Sequence, residues 1–174
     1  MKRFLRKLTV CISFLLLSTT VAALTPEQIA AVIEMTTAEA PDTIVLEVDM
    51  ERRRGGKIVS VETNGGTEYY IAVETLEILE RERDHSGRGE RRITDQIFGD
   101  ARILDLAAAY GAVLEYLAQH DRYARFDGDD FSSIEYDIEF GQLIVEVSFE
   151  GSAGDLEIYF DPVTAAVLES EWDE

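Results

Sequence analysis

The chain has few of the residues on which most reactions and cross-links depend. Its 174 residues include one cysteine, two histidines and three prolines. The single cysteine, Cys11, excludes an intramolecular disulfide, and a chain without disulfides is held by its core alone. His85 and His120 are the only imidazoles. His85 falls in a polar stretch and His120 ends an apolar helical pattern, so neither is placed as the base beside a nucleophile. Two histidines and no spare cysteine also make a poor zinc set. Gly151-Ser-Ala-Gly154 resembles a nucleophile elbow only superficially and fits a hairpin turn. Basic residues are scarce too, with 16 Lys and Arg against 35 Asp and Glu. Binding to nucleic acid needs clustered cations to neutralise phosphates, and this balance argues against it. The same balance disfavours adhesion to an anionic membrane.

Four of the bases, Lys2, Arg3, Arg6 and Lys7, precede a mostly apolar run from Leu8 to Val21. Val21, Ala22 and Ala23 then supply small residues. A charged start, a short apolar segment and a small-residue site make up a secretory signal. The apolar run, of about 14 residues, is short against the roughly 20 needed to span a bilayer. Residues 1–23 are therefore expected to be removed, with no membrane insertion afterwards and a periplasmic or secreted destination. Cys11 sits inside the apolar segment and is poorly placed for lipidation. Without residues 1–23 the chain keeps 12 bases against 35 acids, a net charge of −23. Such a charge favours solubility and attraction of basic partners.

The remaining sequence contains one pattern twice. Thr25, Pro26 and Gln28 form a capping box with proline at the first helical position, and Ile29, Val32 and Ile33 continue one helical face. Ile44, Leu46, Val48 and Met50 then alternate with Glu47, Asp49 and Glu51, as in a half-buried strand. Strands over 57–63 and 68–82 follow, separated by glycine-containing turns. A second helical stripe, Ile103, Leu106, Tyr110, Val113, Leu114 and Leu117, precedes alternating strands over 134–140, 143–149, 156–160 and 166–172. The expected fold class is α+β: two repeats of a helix packed on a three- or four-stranded antiparallel sheet. The expected units are 24–83 and 101–174, joined by an exposed linker over 84–100. Each sheet would keep one wet, carboxylate-rich face.

The second unit resembles a PepSY domain. The resemblance rests on Ile134-Glu-Tyr-Asp-Ile-Glu-Phe140, then Gly-Gln-Leu-Ile-Val-Glu-Val-Ser148, Leu-Glu-Ile-Tyr-Phe-Asp161 and Ala-Val-Leu-Glu169, across about 102–172. Residues 26–82 resemble a more diverged copy, with Glu74 where the family's aspartate falls. Ala165 and Ala166 depart from the family's Gly-Glu after the last turn. The family is associated with propeptides of secreted metallopeptidases and with small exported bacterial proteins. The resemblance thus implies a non-catalytic protein that modulates or inhibits a peptidase or another envelope protein. The alternative is a structural or sensory envelope protein, or a buffer of calcium or cationic ligands.

For a protein partner, which the resemblance suggests is a secreted peptidase, the candidate contact residues are Tyr70, Glu146, Tyr159, Asp161 and Trp172. Exposed tyrosines among carboxylates suit a protein-binding surface, although cross-strand packing explains them somewhat better. Asp127, Asp129 and Asp130 offer oxygen ligands for calcium. They lack the later glycine and terminal glutamate of an EF-hand loop, and an Asp/Gly loop is usually a turn. No other cofactor is expected. Arg52, Arg53 and Arg54 read as a charged hairpin tip.

Overall fold

The computed structural model describes residues 24–51, 56–83 and 88–173, and for 88–91 the backbone alone. The leader over 1–23, the Arg52–Arg54 tip and His85 lie outside the described residues. Helix α1 (Pro26–Glu39) begins where its capping box requires. The Gln28 amide donates to Thr25 Oγ1 at 3.3 Å and the Thr25 amide donates to Gln28 Oε1 at 3.0 Å. Strands β1 (Val45–Glu51), β2 (Ile58–Thr63), β3 (Thr67–Ala72) and β4 (Glu77–Arg83) follow as a meander. Next come α2 (Arg88–Gly99) and α3 (Leu106–Gln119). The second meander is β5 (Phe131–Glu139), β6 (Gln142–Gly151), β7 (Gly154–Asp161) and β8 (Ala166–Asp173). Asp105 caps α3 by accepting the Ala108 amide at 2.7 Å.

The strands form one eight-stranded antiparallel sheet in the order β4-β3-β2-β1-β5-β6-β7-β8. This overturns the expectation of two repeats of a helix packed on a three- or four-stranded sheet. The halves are fused at β1 and β5, where Glu47 pairs with Glu135, Val48 with Ile134 and Asp49 with Ser133. Val48 and Ile134 are both fully buried, and one apolar cluster draws on both halves and on the helices. Two small sheets would each leave an apolar edge strand open, and pairing those edges closes both.

The stretch expected as a linker is largely helical. Residues 88–99 form α2, and Ile93 and Ile97, one turn apart, pack against the core. The lack of large apolar residues over 84–92 concealed the apolar pair just beyond it. Among the described residues no helix is long and apolar enough to cross a membrane.

The outermost strands end alike. Leu76 and Ala165 sit at φ 54° and 60°. Each sends its amide back four residues, to Ala72 O at 2.8 Å and Asp161 O at 3.0 Å. Each outer strand then carries an unpaired extra residue, Leu79 in β4 and Leu168 in β8, both about half exposed. Such bulges twist an edge out of register with any further strand.

Candidate functional site: an acidic sheet face

Side chains alternate across each strand, so pairing places opposite residues on the same face. The core takes Val59, Val61, Tyr69, Ile71, Ile134, Tyr136, Val145, Val147, Leu156, Ile158 and Phe160 from one face. The other face is acidic. One row crosses all eight strands as Glu82, Glu68, Glu62, Glu47, Glu135, Glu146, Tyr159 and Glu169. The next row is Glu80, Tyr70, Ser60, Asp49, Ser133, Ser148, Glu157 and Glu171. Neighbouring strands lie about 4.8 Å apart, so the first row is a ladder of carboxylates at close spacing. Among the described strands only β4 carries arginines. Arg81 and Arg83 pair with Tyr69 and Thr67, on the helix side. Arg81 also meets Glu39 of α1 at 2.6 Å.

Like charges opposite one another repel, and partial burial removes the water that would screen them. Glu47 stands where both effects are strong. Burial, then Glu135, Glu62 and Asp49, push its carboxyl up to about 8. Glu135 is pushed up to about 7 by burial, then by Glu146 and Asp137. Burial first and acidic neighbours second also raise Asp49 and Glu146. A shallow depression lined by Glu47, Asp49, Glu51, Ser60, Glu62, Gly66 and Glu68 lies on this face. Near neutral pH the raised carboxyls of Glu47 and Glu135 therefore leave the centre of the ladder partly protonated.

The structure places three of the five expected contact residues on this face. Tyr70, Glu146 and Tyr159 stand in the two rows. The Tyr159 hydroxyl donates to Glu157 Oε2 at 2.8 Å. Asp161 ends β7, and its Oδ1 accepts the Val163 and Thr164 amides at 2.7 and 3.2 Å, so its carboxylate shapes the turn. Trp172 lies on the helix side. It pairs with buried Leu156, donates Nε1–H to Ala153 O at 3.0 Å and meets Phe126 edge-on at 5.6 Å. The unpaired Leu168 shifts the register of β8 and so sets Trp172 on the side of Leu156 and the helices.

Asp127, Asp129 and Asp130 share one loop, in which the carboxylates of Asp127 and Asp130 bond its backbone. Asp127 Oδ1 accepts the Asp129 amide at 2.8 Å, and Asp130 Oδ2 accepts the Asp127 amide at 3.3 Å. Among the described residues no three Asp, Glu or His side chains converge as a metal set. His120 stacks on Tyr116, ring centres 4.1 Å apart, with Nδ1 2.8 Å from the Tyr116 carbonyl oxygen. Sequence reasoning missed Glu47, Glu62, Glu68 and Glu135 as the centre of the site. Alternation gave their common face within each strand, whereas their meeting depends on the β1–β5 pairing.

A solved structure from Clostridium difficile 630, described as a "putative lipoprotein", superposes with a TM-score of 0.52 at 15% sequence identity. The match covers 87% of this chain and 95% of that one. At this identity the likeness concerns the fold. No family model matches the sequence, and no curated protein matches it.

Proposed function

We propose that this chain is an exported, non-catalytic binding protein whose acidic sheet face docks a basic surface of another envelope or secreted protein. The observation that carries this reading is the in-register ladder Glu82–Glu68–Glu62–Glu47–Glu135–Glu146, with no lysine or arginine of the described strands on its face. Opposed like charges destabilise a sheet, so folding gives no reason for the arrangement. Complementary charge on a partner does, by steering the encounter and then neutralising the face. The PepSY resemblance makes a secreted peptidase the first partner to examine. The likeness to the clostridial protein supports an envelope-associated setting.

The test is calorimetric titration of the purified chain with basic secreted peptidases of its own organism, at 50 and 300 mM salt. The reading expects binding that weakens at least tenfold at the higher salt and at least tenfold again in Glu135→Gln/Glu146→Gln. Glu115→Gln, at an exposed position of α3, should leave affinity unchanged. Binding insensitive to both salt and the paired substitution excludes the acidic face as the docking surface.

A further inference from the structure

The Asp127–Asp130 loop lies against the first described residue of the chain. Leu24 is only 1% exposed and belongs to the core. Its amide donates to Gly128 O at 2.9 Å, and its carbonyl accepts the Tyr110 hydroxyl at 3.1 Å. Asp127 and Asp129 flank Gly128, whose carbonyl accepts the Leu24 amide, and both act electrostatically on that same hydroxyl. Thr25 follows at once as the cap of α1, so the chain has no slack between the loop and the helix.

We propose that this loop is the receptor for a new amino terminus: an export signal peptidase hydrolyses the Ala23–Leu24 bond, and the Leu24 ammonium docks on the Gly128 carbonyl beside Asp127 and Asp129. In the cleavage step water adds across the amide. The Ala23 carbonyl carbon takes the water oxygen and leaves as a carboxylate, while the Leu24 nitrogen takes both protons of the water and becomes an ammonium. Val21 and Ala23 are the small residues that such a peptidase reads. A peptidase must hold the chain extended on both sides of the cut. The Leu24 side chain is buried once the domain has folded, so the cut comes before Leu24 docks. An amide nitrogen offers Gly128 one donor. An ammonium offers three, and nearby carboxylates favour its charged form. This inference rests on export but on no particular partner.

The full chain is exported from its own host and the purified product is analysed by intact mass and amino-terminal sequencing. A mature chain beginning at Leu24 is expected, and any other start overturns the cleavage site. The α-amine is then labelled with an acylating reagent at pH 7 and read on the tryptic peptide 24–52, which contains no lysine. Its labelling should be at least tenfold slower than that of a free peptide amine. Asp127→Asn/Asp129→Asn should restore most of the rate, because asparagine keeps the oxygen that accepts the loop amide while removing the charge. Labelling as fast as a free amine, or unchanged by the substitutions, overturns the docked ammonium.

Discussion

Replacing Glu47 by glutamine should stabilise the protein, and only on the alkaline side. In the folded chain Glu47 faces Glu62 on β2, Glu135 on β5 and Asp49 on its own strand. Its carboxyl moves from an ordinary 4.5 up to about 8, so folding favours the protonated form. The sign follows. The contribution of Glu47 is fully present below the unfolded value of 4.5 and is lost as pH rises through about 8. A displacement of this size corresponds to about 5 kcal/mol. Glu47 is only half-buried, so water screens much of that and about 2 kcal/mol is the working figure. For a chain of this size that is about 4–8 °C in Tm. Thermal melts of the wild type and Glu47→Gln should coincide at pH 4, diverge between pH 5 and 8, and differ by about that amount at pH 9. Glutamine mimics the neutral acid, including its ability to donate a hydrogen bond to Glu62. Parallel curves across the whole range, or a less stable variant at pH 9, would refute the ladder as a source of repulsion.

Two further outcomes test the fold. Ile134→Ala at the β1–β5 seam should cost about 3 kcal/mol, and calorimetry of either chain should show a single transition, because both halves share one core; two separable transitions would mean that the halves fold independently. Phe140→Asn should raise stability by about 1 kcal/mol, since Phe140 is fully exposed at φ 48° beside Gly141 at φ 87°; an unchanged or lower midpoint in urea denaturation would show that the phenyl ring is held by contacts it does not make here.

What the sequence revealed and what it hid divide along local and non-local physics. The box at Thr25 and Gln28 is complete within four residues, and α1 begins there. Alternation in β1 and β5 correctly set Glu47, Asp49 and Glu135 opposite the core positions, because a strand's two faces follow from its own residues. The seam did not follow in this way. Glu47 and Glu135 lie 88 residues apart in sequence, and their pairing sets acid against acid, the reverse of what side-chain matching would choose. It forms because Val48 and Ile134, directly beside them, bury completely. Helix α2 was hidden for another reason, since its apolar contribution is two isoleucines in a strongly polar run. Trp172, named as a contact residue, lies instead on the helix side, because a single bulge residue, Leu168, sets the register of β8 and has no signature that separates it from an ordinary strand position.

The acidic face and the Phe140 turn share a property that bears on function. Burying Val48 and Ile134 explains why β1 and β5 meet, but any small polar residue at 47 and 135 would serve that pairing without repulsion. Hydrophobic burial supplies the folding free energy on the helix side of the sheet, and the outer face subtracts from it. A positive φ at Phe140 likewise costs free energy that asparagine or glycine would avoid. Features that oppose folding persist where they serve another end, and they gather at binding surfaces. A basic partner is the condition under which the ladder changes sign, since each carboxylate it neutralises relieves repulsion that the free protein carries. Binding should therefore raise stability more at pH 8 than at pH 5, where Glu47 and Glu135 already hold protons. Equal stabilisation at the two pH values would place the partner elsewhere on the molecule.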